Sequence, residues 1–122
     1  APEDECNLLH GSAAAIRRWS EAGADLILGG HIHLPYVCAL HERHAGLARR
    51  LWAVQAGTAV SSRVRHGAGN SVNLIRYRDR PGPSWSCAVE RWDYQLHTGH
   101  FMPFNVSALD LDRKAARTTP GR

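Results

Sequence analysis

The chain has 122 residues, of which 43% are hydrophobic and 21% are charged, and its formal net charge is +4. This length allows one domain at most, and no apolar run approaches the ~18 residues that cross a bilayer, so we expect a globular protein without a membrane segment. Arginines make up 14 of the 15 basic residues but are scattered along the chain, which favours a solvated surface over a specific nucleic-acid partner.

The first predicted elements are a helix and a short strand. Between residues 8 and 22, Leu9, Ala13, Ile16 and Trp19 recur at the spacing of an amphipathic helix, and Gly23 follows as a candidate C-cap. Residues 25–29 then form an apolar run bounded by glycines, which is typical of a strand buried on both faces. Helix, tight turn and strand together predict an α/β unit.

Short strands are expected in the rest of the chain. Runs rich in β-branched or aromatic residues occur at 34–40, 51–56, 71–77 and 84–92, separated by Gly- and Pro-containing turns. This pattern predicts an antiparallel meander. Residues 108–122 are polar and Arg-rich, and we expect a flexible tail there after a folded portion at 1–107.

Two histidines directly follow the predicted buried strand, in the sequence Gly29-Gly30-His31-Ile32-His33. Side chains two apart in an extended chain point the same way, so His31 and His33 can converge on one site. Imidazole is the commonest side-chain metal ligand, and open α/β sheets bind ligands beyond the carboxyl ends of their strands. The motif therefore suggests a metal site, although an H-x-H pair can also be two half-buried histidines.

Residues 23–33 (GADLILGGHIH) resemble the last signature block of the calcineurin-like metallophosphoesterases. The helix before them is similar to the family as well. Further similarity to small bacterial members occurs at 54–59 (VQAGTA), at Ser62, Arg63 and Arg65, and at 70–75 (NSVNLI). The resemblance covers about residues 8–92.

This resemblance implies the C-terminal half of an α/β/β/α sandwich, with one N-terminal helix followed by mainly antiparallel strands. It implies that His31 and His33 bind two divalent metal ions, either Mn, Fe or Zn. It also implies a phosphate-ester substrate, more plausibly a phosphodiester or nucleotide than a phosphoprotein. The family's D-x-H, G-D-x-x-D and G-N-H blocks are not found in this sequence.

Without those blocks, we expect the chain to be an excerpt of a metallophosphoesterase. The chain then lacks catalytic residues of its own, is inactive alone, and has the missing N-terminal half of the domain as its partner. Arg63 and Arg65 are candidate substrate-binding residues, because alternation places both on one face of an extended segment, where guanidinium groups suit phosphate. A solvated hairpin arm explains them equally well.

Three other interpretations remain open. The chain could be a non-catalytic cationic binding module or a degenerate half-domain. An H-x-H motif also occurs in amidohydrolase barrels, but those need many more strand–helix alternations than are present. Finally, His41, His44 and Cys38 could form a zinc site, although surface turns explain the two histidines better.

The three cysteines, Cys6, Cys38 and Cys87, are odd in number and far apart in the sequence. This pattern is not a disulfide framework. We therefore expect three small thiols and a reducing compartment, with the cytoplasm as the location.

Overall fold

The computed structural model describes residues 13–30, 34–61, 69–78 and 84–112. These residues form α-helices and β-strands in mostly antiparallel sheets, which confirms the predicted α/β class. The elements, in chain order, are α1 (Ala13–Glu21), β1 (Leu26–Gly29), β2 (Tyr36–Ala39), α2 (Leu40–Arg43), β3 (Trp52–Gln55), β4 (Ser71–Arg78), β5 (Ser84–Gln95) and β6 (His100–Asp112).

Helix α1 ends where the sequence predicts. Gly23 follows it with φ at +96°, a left-handed conformation that glycine adopts without the steric cost of a Cβ. The buried stripe of the helix consists of Ile16 and Ser20, one turn apart, whereas Trp19 is 42% exposed. Burial of the Ser20 hydroxyl is tolerated because it accepts a hydrogen bond from the Arg49 amide at 3.0 Å. The predicted residues 8–12 of the helix lie outside the described residues.

The first sheet has the strand order β1-β3-β2, with β1 parallel and β2 antiparallel to β3. Side chains alternate between its two faces. Ala53 belongs to a core cluster with Ile16 of α1, whereas the adjacent Val54 packs against residues of the second sheet. The helix and the second sheet therefore cover opposite faces of this sheet.

The second sheet is an antiparallel meander of β4, β5 and β6. Its inner face contributes Cys87, Val89, Leu109 and Leu111 to the core that it shares with Val54. The described residues therefore stack as helix, sheet and sheet. The meander predicted for the second half is confirmed for β4–β6, whereas β2 and β3 belong to the first sheet.

Strand β6 corrects the predicted start of the polar tail. The strand continues to Asp112, so residues 108–112 are part of the sheet, while 113–122 lie outside the described residues. Leu109 and Leu111 are only 2% and 1% exposed. They alternate with Asp110 and Asp112, and this period of two is the pattern of a half-buried strand. Apolar burial on one face therefore outweighs the polar composition of this stretch.

A set of polar contacts ties the end of β6 to the start of the first sheet. Arg49 forms an ion pair with Asp25 at 3.0 Å and donates to the backbone carbonyl of Asp112 at 3.0 Å. The amide of Arg50 donates to the Asp112 carboxylate at 2.8 Å, and the Trp52 indole donates to the Asp110 carbonyl at 3.0 Å. These contacts fix how the two sheets stack.

Strand β1 is less buried than predicted. It pairs with β3 on one side and has no neighbouring strand on the other among the described residues. Leu28 is 64% exposed, so burial on both faces is not observed. The apolar composition is that of a central strand, but in the described part of the chain the strand lies at an edge.

The prediction of three free thiols is wrong for Cys38, which is disulfide-bonded. Cys87 is free and buried among the residues of the second core cluster. Its burial, followed by the nearby charge of Asp25, raises the pKa of the Cys87 thiol. Among the described residues, no helix has the length and apolar character that a membrane crossing requires.

Candidate functional site

The four residues predicted from the sequence to bind metal or substrate, His31, His33, Arg63 and Arg65, lie outside the described residues. The segments on either side of the two histidines are described. They show at which edge of the fold the H-x-H segment begins and ends.

Both ends of the H-x-H segment lie beside Gln55. Gly29, the last residue of β1, pairs with Gln55 on one side of β3, and Tyr36, the first residue of β2, pairs with it on the other. Neighbouring strands are about 4.8 Å apart, so the two ends are separated by roughly 10 Å. His31 is two residues from Gly29 and His33 is three from Tyr36. The described residues on both sides of the H-x-H segment therefore lie at the carboxyl end of β3.

Gln55 fixes the start of the H-x-H segment. Its side chain is 6% exposed, and its Nε2 donates to the carbonyl of Gly30 at 2.7 Å. The backbone amide of the next residue, Ala56, donates to the Gly29 carbonyl at 2.8 Å. A Cβ on Gly29 would collide with the Gln55 side chain, so the glycine permits this approach.

Gly57, in the stretch 54–59 that carries part of the resemblance, packs close to Pro35, on the other side of the H-x-H segment. A Cβ on Gly57 would lie 2.5 Å from the Ser71 hydroxyl oxygen and 3.2 Å from Cδ of Pro35. Pro35 follows His33 by two residues. The described parts of the stretches that carry the resemblance, at 23–30, 54–59 and 70–75, therefore meet at one edge of the fold.

The space between the sheets is polar at this edge and apolar further in. On adjacent strands Ser71 pairs with Asp93 and Asn73 with Arg91, followed by the apolar pair of Ile75 and Val89. Asn73 and Arg91 line a cleft beside β2, and the amide of Asn73 donates to the Gln55 carbonyl at 3.4 Å. Arg91 and Asp93 form a two-pronged ion pair at 2.7 and 3.0 Å. No sequence motif singled out Arg91 or Asp93.

Two buried oxygens at this edge lack a hydrogen-bond partner among the described residues. They are the hydroxyl of Ser71, a residue 2% exposed, and Oδ1 of Asn70. Leaving such an atom unpaired costs about 1–3 kcal/mol, and native proteins satisfy most of them. These atoms add to the polar character of the edge.

The described residues include no group of three or more His, Cys, Asp or Glu side chains that could hold a metal ion. His41, considered above as a zinc ligand, instead accepts a hydrogen bond from the Leu51 amide at 3.2 Å, and its ring packs edge-on against Trp52. Imidazole donors such as His31 and His33 suit Mn, Fe or Zn, and the described residues that flank them lie at a strand end.

A carboxyl with a shifted pKa, that of Glu90, lies on the outer face of the second sheet. The pKa of Glu90 is lowered, first by its hydrogen bond from Arg76 at 2.7 Å. Alternation along β5 places Glu90 on the face opposite Val89 and Arg91. Glu90 is therefore not part of the polar edge.

Comparison with protein-family models, with curated proteins and with solved structures found no match for this chain.

The contact of Gly57 with Pro35 and Ser71 can be tested by substitution. Gly57→Ala is expected to lower the free energy of unfolding by about 1–3 kcal/mol, because the added methyl group overpacks a tight contact. Gly69→Ala is the matched control, since a Cβ there meets nothing within 4 Å. Urea unfolding of both variants measures the difference. Equal stability of the two variants would show that Gly57 is not packed against the end of the H-x-H segment.

Proposed function

We propose that this chain is the C-terminal part of a metal-dependent phosphoesterase and that His31 and His33 are two of its metal ligands. The observation that supports this most directly is the position of Gln55. The H-x-H segment begins and ends on either side of it, at the carboxyl end of parallel strands β1 and β3. Ligand sites of open α/β sheets occur at such strand ends.

Each residue group has a separate role in this proposal. His31 and His33 hold one metal each, and the Gln55 side chain holds the start of their segment through the Gly30 carbonyl. Arg63 and Arg65 bind the substrate phosphate. Two divalent ions, Mn, Fe or Zn, held in part by His31 and His33, would supply Lewis-acid polarisation of the phosphate and a water of lowered pKa as the nucleophile. The substrate class is a phosphodiester or nucleotide rather than a phosphoprotein.

The remaining ligands belong, in this proposal, to an N-terminal half of the same α/β/β/α domain. The exposed Leu28, and the edge of β1 that has no neighbouring strand in the described part of the chain, support such a partner, because an apolar edge strand of this kind is normally paired or covered. We refer to the N-terminal half and this chain together as the parent protein. A cytoplasmic location remains a prediction, since the disulfide at Cys38 removes the cysteine argument for a reducing compartment.

The 122-residue chain alone is expected to show no hydrolysis of bis(p-nitrophenyl) phosphate with Mn²⁺, Fe²⁺ or Zn²⁺. Two histidines do not hold a dinuclear centre without bridging carboxylates. The parent protein is expected to hydrolyse this substrate with at least one of the three ions. Metal-dependent turnover by the chain alone would contradict the incomplete site.

The coding sequence upstream of Ala1 supplies an independent test. D-x-H, G-D-x-x-D and G-N-H blocks there would support the proposal. An upstream sequence without them, together with a parent protein that binds no metal, would favour a non-catalytic binding module or a degenerate half-domain.

A further inference from the structure

A cleft of about 220 Å³ opens between β2 and the inner face of the second sheet, next to the polar edge. The first sheet contributes Pro35, Tyr36 and Val37 to the lining, and Val37 packs into the core between the sheets, whereas Tyr36 packs against the cluster on the helix side. The opposite side is the inner face of the second sheet, with Val89 and the polar residues Asn73, Arg91, Asn105 and Ser107. The cleft thus offers a row of hydrogen-bonding residues with the apolar residues Pro35, Val37 and Val89 beside them.

The row of hydrogen-bonding residues carries little net charge. Nε and Nη2 of Arg91 donate to the Asp93 carboxylate at 2.7 and 3.0 Å, so this cation is paired within the protein. Its guanidinium also lies 4.2 Å from the centre of the Phe104 ring, which further fixes its position. Asn73, Asn105 and Ser107 are neutral. The cleft is therefore suited to a neutral ligand with several hydroxyl groups rather than to a free phosphate.

The volume of the cleft limits the size of the ligand, and its position relates the ligand to the H-x-H segment. Pockets for drug-sized ligands measure about 300–1,000 Å³, so this cleft suits a smaller group. Pro35, which lines the cleft, follows His33 by two residues in the sequence. The cleft therefore lies directly after the segment to which the proposed function assigns the metal ligands.

We propose that this cleft binds a hydroxyl-rich group of the size of one sugar ring, as the alcohol part of the phosphate ester that the parent protein hydrolyses. A sugar ring presents hydroxyl groups at its rim and C–H groups on its faces, which match the polar and the apolar residues of the cleft. The identification of this group as part of the substrate rests on the proposed function. The binding of a sugar in the cleft is independent of the proposed function.

The test is a titration of the isotopically labelled 122-residue chain with D-ribose, without metal, followed by nuclear magnetic resonance. Cyclopentanol, which has one hydroxyl group on a ring of the same size, and inorganic phosphate are the control ligands. Ribose is expected to shift the side-chain amide signals of Asn73 and Asn105 in a saturable way. Cyclopentanol and phosphate are expected to leave them in place.

Asn105→Ala is expected to weaken ribose binding about three- to tenfold, the usual effect of losing one hydrogen bond. Ser107→Ala is a second variant in the same row. Val106→Ala is the matched control, because Val106 is 61% exposed and absent from the cleft lining. This variant should bind ribose as the unsubstituted chain does.

Absence of saturable shifts with ribose, equal shifts with cyclopentanol, or shifts with phosphate instead would overturn the proposal. Because no metal is present, these outcomes are separate from a failure of the metal site. Ribose binding by a chain whose parent protein has no phosphoesterase activity would refute the proposed function and leave the sugar site intact.

Discussion

Replacing either His31 or His33 with Ala in the parent protein is expected to lower metal-dependent turnover of a phosphodiester by about 10³-fold. Metal ions contribute several kcal/mol of transition-state stabilisation, and each 1.36 kcal/mol corresponds to a factor of about ten in rate. Loss of one imidazole ligand removes or displaces an ion. Steady-state kinetics at saturating metal measures this effect.

His97→Ala is the matched control for the histidine variants. His97 is exposed in the turn between β5 and β6 and takes no part in the polar edge, so its removal should leave turnover unchanged. Turnover of the His31 and His33 variants within threefold of the unsubstituted protein would contradict their assignment as metal ligands.

Leu111→Ala is expected to lower the free energy of unfolding of the 122-residue chain by about 2–5 kcal/mol. Leu111 is 1% exposed and packs with Val54, Cys87, Val89 and Leu109 between the two sheets. A cavity there removes a large share of the roughly 5–15 kcal/mol by which single domains are stable. Denaturant unfolding, followed by tryptophan fluorescence, measures the change.

Val106→Ala, on the same strand, is the control for Leu111→Ala. Val106 is 61% exposed, so we expect its substitution to cost less than about 1 kcal/mol. If residues 108–112 were part of a flexible tail, Leu111→Ala would have no effect on stability. Equal, small effects of the two substitutions would therefore exclude the buried end of β6.

Local signals in the sequence predicted the first two elements, α1 and β1. The end of α1 at Gly23 and the strand that follows were visible because a positive-φ glycine and an apolar run are local signals. The sequence missed β6. This strand contains Pro103, and its register shifts opposite Arg91 and Trp92, so its alternation is interrupted midway.

The candidate site was only partly predictable. The H-x-H motif indicated the strand end, because two histidines after a glycine pair form a local pattern. Arg91 and Asp93 were not predicted, since their position opposite Asn73 and Ser71 depends on the register of β4 and β5. Cross-strand register is decided by the packing of the whole sheet, and a run of sequence around one residue does not specify it.

The burial of β1 also depends on more than its local sequence. Its apolar residues predicted burial on both faces, yet Leu28 is exposed and the outer edge of the strand has no partner among the described residues. Composition indicates the environment for which a strand is suited. Whether that environment is present depends on the other chain segments that pack against it, and here we assign them to the parent protein.

The metal content of the parent protein tests the central claim most directly. Inductively coupled plasma mass spectrometry of the unsubstituted protein is expected to show two equivalents of Mn, Fe or Zn per chain, and the His97→Ala control should keep both. The His31→Ala/His33→Ala double variant, folded by circular dichroism, is expected to lose both. A folded parent protein without bound metal, or a double variant that retains two equivalents, would contradict the assignment of this chain to a metallophosphoesterase.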